Sequence, residues 1–123
     1  MSKKTICMSK GRPVDIDFEN WSTWAEATDY NDTSGRNVFQ SYSSLHVYKR
    51  GDQEKYLVCG KSFSCYNGGH TTYAGILVTD EAELTGAMRQ VMDDLGLVVG
   101  HGDVANDYLL REWEQDLPPV DLD

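Results

Sequence analysis

The stretch Leu45-His46-Val47-Tyr48-Lys49-Arg50-Gly51-Asp52-Gln53-Glu54-Lys55-Tyr56-Leu57-Val58-Cys59 decides the fold. Its two ends, residues 45–48 and 56–59, are rich in β-branched and aromatic side chains, as strands prefer. Between them Arg50-Gly51-Asp52-Gln53 is a polar, glycine-containing connection of hairpin length. The reading is an antiparallel hairpin. Downstream, Cys65-Tyr66 and residues 72–78 flank Asn67-Gly68-Gly69-His70, whose glycines permit the positive φ of a tight turn. An antiparallel meander is the natural outcome.

Upstream, residues 5–8 form a short strand, and Val14-Asp15-Ile16-Asp17-Phe18 alternates with the period of two of a half-buried strand. Trp21, Trp24, Ala25 and Thr28 are spaced for one or two turns of helix, and residues 31–37 are loop by composition. Two helices close the chain. Asp80 caps the first, with Glu83 three residues on, and Leu84, Ala87, Met88, Val91, Met92 and Leu95 make its apolar stripe before Gly96. Asp103 caps the second, with the stripe Ala105, Leu109, Trp113 and Leu117, and Pro118-Pro119 end it. The expected fold is α+β, an antiparallel sheet of four or five strands covered on one face by two C-terminal α-helices. Residues 1–117 form a single domain and 118–123 an acidic mobile tail. The other face of the sheet is expected to carry Tyr42, Tyr48, Tyr56 or Tyr73.

Charge is distributed unevenly over this frame. From Asp80 onward there are twelve carboxylates and only Arg89 and Arg111, a net charge of −10, whereas the first 79 residues carry +1. On helical geometry Glu83, Asp93 and Asp94 fall away from the first stripe, on the side of Gly86 and Gln90, and Asp103, Asp107 and Glu114 share the outer face of the second helix. Acidic solvated faces are ordinary in acidic proteins. These lack the interspersed lysines that relieve like-charge repulsion, which marks the six residues as candidates for binding a basic surface.

The chemical motifs each fail a test. Gly60-Lys61-Ser62 resembles the end of a phosphate loop, but the position of that motif's first glycine is Lys55 and the residues after it read as extended. Cys59, Cys65 and His70 lack the paired spacing of a closed zinc site, so no metal and no cofactor is expected. Cys65 and His70 across a hairpin turn form the one thiol and base pair, the centre of an alternative reading as a small Cys/His enzyme. His101 between two glycines has no recognisable nucleophile beside it. Three cysteines, no signal-like apolar segment and no membrane-length run point to a reducing cytoplasm, where the sequons at Asn20 and Asn31 are chance matches. The basic cluster Lys49, Arg50, Lys55 and Lys61 is outweighed by the total charge of −9, so direct nucleic-acid binding is not expected.

What remains is a protein that binds protein. Its size, acidity and lack of catalytic equipment resemble the small inhibitors that phages and mobile elements encode against host defences, of the anti-CRISPR and antirestriction kind. The likeness is one of general type and rests on no motif. It implies a nucleic-acid mimic whose carboxylates occupy a cationic groove of a nucleic-acid-handling complex, in place of phosphates. An immunity protein that neutralises a basic toxin such as a nuclease is the alternative within the same class.

Overall fold

The computed structural model describes residues 3–9, 12–17, 19–31, 41–51, 53–64, 70–97, 99–100 and 104–118. In chain order the elements are β1 (Lys3–Ser9), β2 (Arg12–Asp17), β3 (Trp21–Asn31), β4 (Ser41–Arg50), β5 (Tyr56–Ser64), β6 (His70–Val78), α1 (Leu84–Asp94) and α2 (Val104–Gln115). Strands β3 to β6 form one antiparallel sheet in sequential order. The hairpin β1–β2 is a separate two-stranded ribbon, with β1 lying beside β6 and β5. This is the α+β meander with two C-terminal helices that the sequence predicts.

The central hairpin sets the register. Leu45 stands opposite Gly60 and Val47 opposite Val58, and the connection closes with Arg50 N donating to Lys55 O at 3.0 Å. Gly51 supplies the positive φ, +49°, that the turn needs. Period-two alternation sends Leu45, Val47, Tyr56, Val58, Ala74 and Val78 to one face, where all are buried. α1 covers β5 and β6 there and α2 covers β3. Leu84, Ala87, Met88, Val91, Met92 and Leu95 of the α1 segment and Leu109, Leu110 and Trp113 of α2 complete this core. Each fully buried large side chain contributes on the order of 1.5–3 kcal/mol. Gly60 is the point of closest approach. A Cβ there would lie 2.8 Å from both Leu45 Cδ2 and the Ser44 carbonyl oxygen and 3.2 Å from Leu95, so only glycine lets β4, β5 and the end of α1 close on one another. That requirement explains a glycine that otherwise reads as part of a phosphate loop.

Four expectations are corrected. Residues 21–28 are strand, not helix: the register of β3 on β4 shifts between Thr23 and Ala25, a bulge at Trp24. The bulge places Trp24 and Ala25 toward the helix-covered core while Trp21 packs with Tyr48 and Leu57 on the opposite side. The inserted residue breaks the period of two and leaves a spacing that imitates a helix. Tyr56 belongs to the helix-covered core, 1% exposed, and does not join the tyrosines of the other face. Ala105 is exposed and Leu110 is buried in its place. Rotating α2 that way buries the larger side chain and removes more apolar area from water. Asp80 does cap, but over a single 3-10 turn: its carboxylate accepts from Ala82 N at 3.0 Å, and the Glu83 side chain makes no cap bond. At the far end Gly96 takes φ +81°, as a helix-terminating glycine should. Among the described residues no helix is long and apolar enough to cross a membrane. Of the expected loop at 31–37 and the turn Asn67-Gly68-Gly69-His70, Asn31 ends β3 and His70 opens β6; residues 32–37 and 67–69, the Asp103 cap and residues 119–123 of the expected tail lie outside the described residues.

Candidate functional site

The helices that seal the core turn their polar faces outward, and the acids ride on those faces. Glu83, Asp93 and Asp94 of the α1 segment are all exposed. Asp94 accepts from Gln90 Nε2 at 2.8 Å, one helical turn back. Asp93 lines a shallow depression with Gly86, Arg89, Gln90 and Val99, and Arg89 makes no ion pair to it among the described residues. Both aspartates stand at the C-terminal end of α1, where the helix dipole is negative and no basic residue occupies the last turn. The helix end therefore adds to their negative potential instead of offsetting it.

The α2 acids are placed differently from the sequence expectation. Asp107 and Glu114 are half-buried instead of standing on a free outer face. Asp107 Oδ1 accepts from Gly100 N at 2.7 Å, which ties the connection between the helices to the first turn of α2. Asp103 lies outside the described residues. At the other end of α2, Asp116 Oδ2 accepts from Glu26 N of β3 at 2.8 Å.

A second acidic set emerges that sequence reasoning missed. Asp29 of β3 and Glu112 of α2 line one open groove of about 600 Å³ with Thr28, Ala105, Tyr108 and Leu109. Tyr108 is 58% exposed. The signal in the sequence was the i, i+3, i+7 series Ala105, Tyr108 and Glu112, which faces outward once Leu110 takes the core. Asp29 could not be assigned to it while residues 21–28 read as helix.

The opposite face of the sheet holds the other candidate interface. Tyr42, Tyr48 and Tyr73 lie on it by register. Tyr48 is buried there with Leu57 and Cys59, whereas Tyr73 and Leu77 are 44% and 58% exposed. Tyr42 stacks on Phe63 with ring centroids 5.5 Å apart, and Lys61 Nζ stands 5.7 Å over the Tyr42 ring. His46 sits in the middle. Its Nε2 lies 2.9 Å from Ser44 Oγ and its Nδ1 3.7 Å from Glu26 Oε2, and its ring stacks on Tyr48. Burial holds the imidazole below the ordinary histidine range; Glu26 opposes the shift and Lys61 adds to it. On the helix side, burial and then the Glu81 carboxylate push the Tyr56 phenol up to about 12, with its hydroxyl donating to Glu81 Oε1 at 3.3 Å.

Of the thiol and base pair behind the enzyme alternative, Cys65 lies outside the described residues and His70 opens β6 opposite Ser64. Cys59 is buried, 1% exposed. Among the described residues no three His, Cys, Asp or Glu side chains converge to hold a metal. No family model matches the chain, and no curated protein or solved structure is significantly similar to it.

Proposed function

We propose that the protein is a small acidic inhibitor that binds a basic-surfaced protein, a nucleic-acid-handling complex, and blocks its cationic groove in the manner of an anti-CRISPR or antirestriction nucleic-acid mimic. The observation that supports it is the state of the helical carboxylates. Glu83, Asp93, Asp94 and Glu112 are exposed on rigid helices, and among the described residues none of them has a cation within ion-pair distance. Exposed carboxylates with no internal ion pair have none to break on meeting lysines or arginines, and the steering and counterion terms that a polyanion gains offset the side-chain entropy they lose there. The net charge of −9 is carried by the segment from Asp80 onward, at −10, which concentrates that attraction there.

The test is capture of a partner from host extract by the tagged protein, followed by affinity and association rate at several ionic strengths. The expected result is a partner with a basic nucleic-acid groove, association that slows as salt rises, and at least a tenfold loss of affinity for the triple variant Glu83→Lys, Asp93→Lys, Asp94→Lys. Salt-independent binding that the triple variant leaves untouched would exclude the acidic helices and direct attention to the face of Tyr42 and Tyr73.

A further inference from the structure

β3 is the last strand on its side of the sheet, and its outer edge has no strand partner among the described residues. One group on that edge is nonetheless satisfied. The Glu26 amide points away from β4, since it donates to Asp116 Oδ2 at 2.8 Å. Along an edge strand the outward groups recur every second residue, so the N–H and C=O of Thr28 point the same way. Beyond Asp116 nothing among the described residues meets them. Beside them runs the groove formed with α2, walled by Asp29 and Glu112, with the exposed Tyr108 ring at its side and Ala105 and Leu109 as its apolar lining.

We propose that this groove receives an extended basic segment of the partner protein, which adds to β3 as a fifth strand at Thr28 and sets an arginine or lysine between Asp29, Glu112 and the ring of Tyr108. The inference rests on the reading of the acidic surface as a binding surface and names a site and a mode for it. Main-chain pairing to an exposed edge supplies affinity in strand addition, while side-chain pockets supply choice of partner. Two carboxylates with no cation among the lining residues select a positive side chain, and an aromatic face beside them favours a guanidinium. Asp116 occupies the edge at Glu26 and so fixes where the incoming strand must stop.

The experiment is a titration of the isotopically labelled full chain with a capped heptapeptide, Arg-Thr-Arg-Val-Arg-Thr-Arg, followed by amide chemical shifts and hydrogen exchange. The expected result is saturable shifts at Thr28, Asp29, Tyr108 and Glu112, with slowed exchange of the Thr28 amide. Asp29→Lys with Glu112→Lys, and separately Thr28→Pro, should each weaken binding at least tenfold. Proline removes an outward donor without touching the ladder to β4. N-methylation of alternate peptide residues covers the case in which the proline variant fails to fold: one of the two alternating sets must abolish binding and the other spare it. Binding that survives both methylation patterns, or a Thr28→Pro protein that stays folded and binds as wild type, overturns strand addition. Shifts confined to Glu83, Asp93 and Asp94 would also overturn it while leaving the acidic surface as the interface. Salt-independent capture of the natural partner is the separate failure of the underlying reading.

Discussion

His46 and Trp113 are the two described side chains with a buried nitrogen that finds no hydrogen-bond partner, at His46 Nδ1 and Trp113 Nε1. Their consequences differ because one titrates and the other does not. The unfolded chain protonates His46 near 6.5, while the folded protein resists until lower pH, so below that value the unfolded state holds more protons. Stability should therefore fall as pH drops from about 6.5 toward the lowered folded value, and His46→Gln should flatten that part of the profile. Chemical denaturation of both proteins between pH 5 and 8 checks this, and parallel curves would contradict it. Trp113 is fully buried in the centre of the main core. Trp113→Ala should cost on the order of 3–5 kcal/mol from lost transfer energy and the cavity left behind. A change under about 1 kcal/mol in denaturant unfolding would mean that α2 is peripheral.

At the scale of the element, the proposed function sets stability against binding in α1. Asp93 and Asp94 sit at the negative end of a helix dipole with no basic residue in the last turn. Asp94→Lys, whose neighbour one turn back is the neutral Gln90, should stabilise the protein by about 0.3–1 kcal/mol, visible as a raised Tm, and at the same time weaken the proposed partner binding. A variant that loses stability would contradict the placement of Asp94 at an exposed helix end. The same element shows how much of the fold was legible in advance. The α1 stripe from Leu84 to Leu95 and its terminal glycine could be read residue by residue, because an amphipathic helix without irregularities obeys its period. β3 could not: one inserted residue at Trp24 shifts the phase, and a two-residue period with a slip resembles a 3.6-residue period over eight positions. α2 was legible in position but not in rotation, since choosing between Ala105 and Leu110 needs the shape of the sheet beneath. The candidate site suffered from both misreadings. The exposure of Glu83, Asp93 and Asp94 follows from the helical period, while Asp29, Tyr108 and Glu112 come together only through the strand and the rotation that the sequence concealed.

The whole molecule is electrically lopsided, with −10 on the segment from Asp80 onward and +1 on the rest. Two opposite responses to salt follow. Intramolecular repulsion among the helical acids is screened as ionic strength rises, because the Debye length shrinks from about 30 Å at 0.01 M to about 10 Å at 0.1 M. Thermal unfolding should accordingly shift to higher temperature from 10 to 150 mM salt, while association with a basic partner slows over the same range. A Tm that stays flat would show that the acids are too far apart to repel. The two responses come from one charge distribution, so reversing Glu83, Asp93 and Asp94 should reduce both together.

The bond from Asp116 to the Glu26 amide joins positions ninety residues apart, and this separation bears on how the chain is made. The meander pairs each strand only with its neighbour in sequence, so it can assemble while the ribosome is still at work. β3 emerges well before the helix that guards its rim. During synthesis a nearly complete sheet stands with a naked rim, a template for pairing with another nascent copy. A chain ending at residue 103 freezes that moment, and it should self-associate in light scattering at concentrations where the full chain does not. Supplying residues 104–123 as a separate peptide should suppress the association, and Asp116→Ala in that peptide should blunt the rescue.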